Sequence, residues 1–190
     1  MEKTSSAPVM RISDAGSHVG QTVKIQGWLY NHRSSGKIRF LELRDGSAMT
    51  IQAVVANGTA DAESFALSAE LTQESSVKVI GLVKAHPKKP GVYELDVHNI
   101  ELVQKAELNY PISHKEHGPE HLMQHRHLWL RTPRQVAIAR VRASIVKSIR
   151  DFFDSRDFIL MDAPILTPSA CEGTSNLFKT DYFDEEAFLT

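Results

Sequence analysis

The sequence predicts a small closed β-barrel on the N-terminal side, followed by the opening of a separate domain that mixes helix and strand (α+β). Three observations carry that expectation. Five stretches before residue 105 alternate apolar and polar residues with the period of two of half-buried strands. One short amphipathic stretch, residues 60–71, stands between the third and the fourth. Beyond residue 105 the alternation stops, and from residue 132 apolar residues recur every three or four positions, the period of a helix.

Taken in order, residues 23–32 form the first strand, with Val23, Ile25 and Leu29 on one face and Gly27 read as a bulge. Ser34-Ser35-Gly36 is a hairpin turn and residues 37–43 a second strand. Arg44-Asp45-Gly46-Ser47 turns again before a third strand at 50–55. The helix at 60–71 offers Phe65, Leu67 and Leu71 to one side. Residues 76–84 and 92–103 are strands four and five, separated by His86-Pro87-Lys88-Lys89-Pro90-Gly91. Three strands, a helix and two strands is the order of an OB-fold barrel, which binds oligonucleotides across its second and third strands. Other small barrels share such counts.

Residues 1–105 thus form the first domain, and 106–127, with Pro111, Gly118 and Pro119, read as a hinge. The second domain, 128–190, opens on Thr132-Pro133-Arg134-Gln135, a capping box with proline at the first helical position. That helix runs to about residue 155, with Ile138, Val141, Ile145, Ile149 and Phe152 as its expected buried stripe. Residues 157–162 read as a short apolar strand ended by Pro164.

Composition narrows the classes. Apolar residues make up 42% of the 190 and charged residues 24%, as in a soluble globular protein. A net charge of −1 argues against a non-specific nucleic-acid binder. The distribution is uneven: Lys24, His32, Arg33, Lys37, Arg39 and Arg44 crowd one stretch, Lys78, Lys84, Lys88 and Lys89 another, and Asp181, Asp184, Glu185 and Glu186 make the far end acidic. This suits a protein that touches nucleic acid with one domain; two solvated surfaces would read the same way. Cys171 is the only cysteine, so no internal disulfide forms and a reducing compartment fits. No apolar run has the length a bilayer needs, and the first ten residues lack the apolar core of an export signal, so the expected setting is cytoplasmic, with no membrane partner. Asn57-Gly58-Thr59 is then a turn rather than a glycosylation site.

Strand phase singles out the candidate site. Leu41 and Leu43 claim the core, which leaves Phe40 outward beside Glu42. Ile51, Ala53 and Val55 leave Gln52 outward, and Tyr93, Leu95 and Val97 leave Glu94 outward. An outward aromatic flanked by an amide and a carboxylate suits unpaired bases: stacking supplies roughly 1–3 kcal/mol per base and the polar edges supply identity. The opposite phase, with Phe40 in the core, stays open at this level because Ile38 shares its side.

These residues also carry a resemblance. Gly27-Trp28, Arg33, Gly36, Phe40, Arg44-Asp45 and Gln52 follow the spacing of the anticodon-binding barrel of class II aminoacyl-tRNA synthetases of the aspartyl, asparaginyl and lysyl subclass. The resemblance implies that Phe40 stacks on the central anticodon uridine, that Gln52 and Glu94 contact anticodon base edges, and that Arg33 contacts phosphate or base. His125-Arg126-His127-Leu128-Trp129-Leu130-Arg131 resembles the start of the subclass catalytic domain, and residues 140–166 resemble class II motif 1, with Pro164 as its proline and Phe158 within it. In the family this motif builds a homodimer interface. Glu172-Gly173 is similar to the loop whose glutamate holds the α-ammonium of the amino acid substrate. His-Leu-Trp-Leu-Arg and Cys171-Glu172-Gly173 lie closer to the asparaginyl branch than to the aspartyl one.

The resemblance therefore implies ATP-dependent attachment of asparagine to tRNA(Asn) through an asparaginyl adenylate, with ATP and Mg2+ as requirements. Nothing matches motifs 2 and 3, which carry the ATP-gripping arginines, so no catalytic residue is assigned within the chain, and the chain alone is expected to be inactive in adenylation. An aspartyl enzyme, accepting one tRNA or two, and a non-catalytic tRNA-binding module are the alternatives. His114, His117, His121, His125 and His127 could suggest zinc, but no thiolates or carboxylates are arranged with them, so no metal site is assigned. Cys171 has no base beside it and reads as an unreactive thiol.

Overall fold

In the computed structural model, residues 7–47, 49–113, 115–168 and 178–189 are described. The chain divides into two compact units, Met1–Ala137 and Ile138–Thr190.

The first unit is built on β1 (Thr22–Ser35), β2 (Ile38–Arg44), β3 (Thr50–Ala56), α1 (Ala62–Leu67), β4 (Ser76–Ala85) and β5 (Tyr93–Gln104). The strands close into a barrel in the order β1-β2-β3-β5-β4, with β4 paired back onto β1. Only the β3–β5 pair is parallel. Val23, Ile25, Leu29, Leu41, Leu43, Ala53, Val55, Val79, Val83, Leu95 and Val97 are fully buried and converge inside it. Full burial of one such Val, Leu or Ile side chain is worth about 1.5–3 kcal/mol, so alternation along five short strands is enough to specify the interior. A 3-10 turn at Ile12–His18 adds Ile12 and Ala15 to the same core, and Met10 just ahead of it joins them. It is tied down by the buried Asp45 carboxylate, which accepts from the Ile12 backbone N–H at 2.7 Å.

The bulge sits elsewhere than expected. Gly27 keeps its place in the ladder opposite Val77. A Cβ there would stand 2.3 Å from the Arg44 carbonyl oxygen, so glycine is needed for close backbone approach. The register of β1 against β2 slips between Leu29 and Asn31, leaving Tyr30 as the extra residue. Helix α1 is shorter than the sequence suggests. Asp61 caps its start, accepting from the Ser64 N–H at 2.7 Å, and Arg39 closes its end by donating to the Phe65 carbonyl and, at 2.9 Å, to Ser68 Oγ.

After β5 come α2 (Pro119–Gln124) and α3 (Arg126–Trp129), then α4 (Pro133–Asp154). Glu74 binds the segment before α4 to the barrel. Its side chain is 6% exposed, and its carboxylate accepts from Arg44 at 2.7 Å and from Arg131 at 2.5 Å. Both guanidinium groups also lie over Trp28, 6.0 Å and 5.0 Å from its ring. Nearby, burial raises the phenol pKa values of Tyr30 and Tyr110, and the Glu74 charge adds to the rise at both.

In the second unit, β6 (Leu166–Thr167), β7 (Lys179–Tyr182) and β8 (Glu185–Leu189) form an antiparallel sheet in the order β6-β8-β7. Two expectations are corrected here. The apolar stripe of α4 is not buried: Ile138, Val141, Ile145, Ile149 and Phe152 are 50–61% exposed. The helical period is present, but a stripe is buried only when another element covers it, and none does among the described residues. Residues 157–162 likewise form no strand, because a strand needs a ladder partner and no described residue pairs with them.

Candidate nucleic-acid interface

Three strands meet at the candidate site, and their register assembles it. Leu41, Leu43, Ile51, Ala53, Val55, Leu95 and Val97 are buried. Phe40, Glu42, Gln52 and Glu94 are half-buried on the opposite face, so the outward phase of Phe40 is the one the barrel adopts. Antiparallel pairing sets Glu42 across from Gln52, and parallel pairing sets Gln52 beside Glu94.

Arg33 joins them because of the bulge. Before it, the odd-numbered residues Val23, Ile25 and Leu29 point inward, and an unbroken strand would send residue 33 the same way. The extra residue at Tyr30 reverses the alternation, so that Asn31 pairs with Glu42 and Arg33 with Phe40, on the outer face. The guanidinium then lies over the Phe40 ring, 4.5 Å from its centroid. It donates to Gln52 Oε1 at 2.8 Å, and Gln52 Nε2 donates to Glu94 Oε1 at 2.6 Å. The two bonds orient the amide, since only one assignment of its oxygen and nitrogen satisfies both.

Arg33, Phe40, Glu42 and Gln52 line an open groove of about 490 Å³, together with Asn31, His32, Thr50, His86, Lys89, Val92 and Tyr93, and Glu94 adjoins it through its bond from Gln52. The arrangement offers a flat aromatic ring, a cationic donor, an amide presenting both a donor and an acceptor, and a carboxylate. It can stack a planar heterocycle and hydrogen-bond its edge. His86 and Lys89 come from the loop joining β4 to β5; the sequence marks them only as a turn and a basic cluster. The signal that places them is the hairpin register, Lys84 opposite Glu94 and Ala85 opposite Tyr93, which brings the next residue back beside Glu94.

Glu172 and Cys171 lie outside the described residues, as does His114. Phe158 is 62% exposed beside Ile149, Phe153 and Leu160, and Pro164 is exposed too. Among the described residues no group of histidine, cysteine and carboxylate side chains could hold a metal ion. His117, His121 and His125 instead form a column with ring centroids 4.7 and 4.5 Å apart. Among the described residues no helix is long and apolar enough to cross a membrane.

Comparison with known proteins fits this geometry. Residues 23–103 match a family model described as an OB-fold nucleic acid binding domain, and residues 118–189 match one described as tRNA synthetases class II (D, K and N). The chain is thus similar to class II synthetases, with an OB-fold nucleic acid binding domain ahead of a segment that matches part of the synthetase domain. Among these, the similarity is to asparagine--tRNA ligases. The chain is 56% identical over 183 residues to that of Sorangium cellulosum and 53% identical over 179 residues to that of Desulforamulus reducens. These matches take in 96% and 94% of this chain but 41% of each relative, so the chain spans about two fifths of their length. Among solved structures, asparaginyl-tRNA synthetase from Pyrococcus horikoshii complexed with asparaginyl-adenylate superposes with a TM-score of 0.86 at 34% identity, covering 96% of this chain and 42% of that one.

Proposed function

We propose that this chain is the anticodon-reading part of an enzyme that attaches asparagine to tRNA(Asn), and that it contributes one anchor for the amino acid. The observation that carries the reading is the outer-face register: Arg33 over Phe40, with Gln52 and Glu94 hydrogen-bonded alongside. In this reading Phe40 stacks on the central anticodon uridine. Gln52 and Glu94 meet base edges, and Arg33 meets phosphate or base. Residues 1–105 are the anticodon-binding domain, 106–127 a connection, and 128–190 the opening of the catalytic domain.

The whole enzyme would join asparagine's carboxylate to the α-phosphate of ATP, releasing pyrophosphate, and then pass the acyl group to the terminal ribose hydroxyl of the tRNA, releasing AMP. ATP and Mg2+ belong to that reaction. No cluster among the described residues suits the magnesium ion, so no step is assigned to this chain's side chains. Glu172 would neutralise the α-ammonium of asparagine, and Phe158 and Pro164 would lie in a homodimer interface. The uncovered apolar face of α4 offers a surface suited to such contact. A cytoplasmic setting goes with this role.

Aminoacylation by the full-length protein tests the reading. Asparagine should be charged onto tRNA(Asn), aspartate should not, and Glu172→Gln should raise KM for asparagine while leaving tRNA affinity unchanged. Charging of aspartate would favour the aspartyl alternative, and no charging of either would favour a tRNA-binding module.

A further inference from the structure

The β4–β5 loop carries a residue that the four-residue reader above does not include. The His86 backbone N–H donates to the Val92 carbonyl at 2.8 Å, which closes the loop. Its Nδ1 accepts from the Lys88 backbone N–H at 3.0 Å. With that lone pair engaged, the ring proton of the neutral imidazole resides on Nε2. Nε2 stands 3.6 Å from Glu94 Oε1, and the two side chains are only 19% and 16% exposed. The same oxygen accepts from Gln52 Nε2 on the other side.

We propose that His86 is a positioning residue for base recognition, holding the Glu94 carboxylate in the orientation that reads a base edge; the inference rests on the anticodon-reading function proposed above. Two groups converge on Glu94 Oε1: the Gln52 amide, which donates to it and is itself oriented by Arg33, and the imidazole, held by the loop backbone with Nε2 3.6 Å away. A carboxylate accepts and does not donate, so an oxygen held this way selects a base edge that presents N–H groups. Without His86 the carboxylate keeps one restraint instead of two and can rotate toward solvent or toward Lys89 on the groove wall.

The test uses this chain and an RNA hairpin of the tRNA(Asn) anticodon arm, with a set of hairpins changed singly at each anticodon base. His86→Ala should weaken the parent hairpin by about three- to tenfold, up to about 1.4 kcal/mol. It should narrow discrimination at the same anticodon position as Glu94→Gln, and leave the melting temperature unchanged. The double variant should bind no more weakly than Glu94→Gln alone, and His86→Gln, which restores an N–H donor, should recover part of the loss. A uniform loss across all hairpins, or a loss that adds in full to that of Glu94→Gln, would overturn the positioning role while leaving the reader intact. If Phe40→Ala and Glu94→Gln themselves bind every hairpin as the parent does, the reading falls and the inference with it.

Discussion

Replacing Glu74 by glutamine removes one charge and almost no volume from the first unit, and the structure says what that should cost. The carboxylate is 6% exposed and holds Arg44, which is 11% exposed, and Arg131, which is 36% exposed. Removing one partner of a buried ion pair costs roughly 3–5 kcal/mol, because the remaining charge is left uncompensated. Two features reduce that here. Arg131 reaches solvent, where a pair is worth about 0.2–1 kcal/mol, and glutamine retains an acceptor oxygen worth about 1 kcal/mol. The expected loss is therefore about 2–3 kcal/mol, equivalent to a fall in melting temperature of roughly 6–12 °C for a unit of this size. Urea denaturation followed by tryptophan fluorescence measures it cleanly, since Trp28 and Trp129 both lie in the first unit. Arg44→Ala should cost more than Arg131→Ala, and the effects of Glu74→Gln and Arg44→Ala should be non-additive. A Glu74→Gln protein within about 0.5 kcal/mol of the parent would show that the buried cluster contributes nothing to stability.

Phe40→Ala should weaken hairpin binding by roughly 1–3 kcal/mol and leave the denaturation midpoint nearly unchanged, since the ring lies outside the core; an unfolded barrel would contradict that placement. At Asp61, burial raises the carboxyl pKa, but hydrogen bonds from Ser64, Asn99 and Glu63 together outweigh it and hold the pKa below the ordinary value. A folded-state pKa that is depressed gives stability present above the ordinary carboxylate range and lost as pH falls through the folded value, so Asp61→Asn should flatten this part of the acid dependence of unfolding. Asp61→Ala should cost about 1 kcal/mol at neutral pH through loss of the helix cap. A Cβ at Gly81 would stand 2.3 Å from the Asp96 carbonyl oxygen, whereas one at Gly46 would meet nothing within 4 Å. Gly81→Ala should therefore lose roughly 1–3 kcal/mol by overpacking, and Gly46→Ala almost none; equal midpoints in urea would refute the close approach.

The order of elements and the inward or outward phase of β2, β3 and β5 were legible in the sequence, because alternation is local: Leu41 and Leu43, or Ile51 and Ala53, declare their own face. Phe40, Gln52 and Glu94 were reached that way. Arg33 was reached only through family spacing. By alternation alone it belongs to the inward face of β1, and its outward position depends on the bulge at Tyr30. The period of α4 was equally legible, but its burial was not, since burial is a property of what lies against a face.

What the sequence determined by itself was thus the set of strands, the faces they present and the chemical kinds of side chain on the outer one. Barrel closure decided the rest. Closing five strands into a ring forces a particular stagger between neighbours. That stagger sets Gln52 beside Glu94, while the bulge at Tyr30 sends Arg33 over Phe40 and the β4–β5 turn brings His86 to face a carboxylate eight residues further along the chain. Arg131 comes to Glu74 across 57 residues in the same manner. Such contacts depend on register and on chain reversals, which no short window of residues encodes, and they arise only when the whole barrel minimises its exposed apolar surface at once.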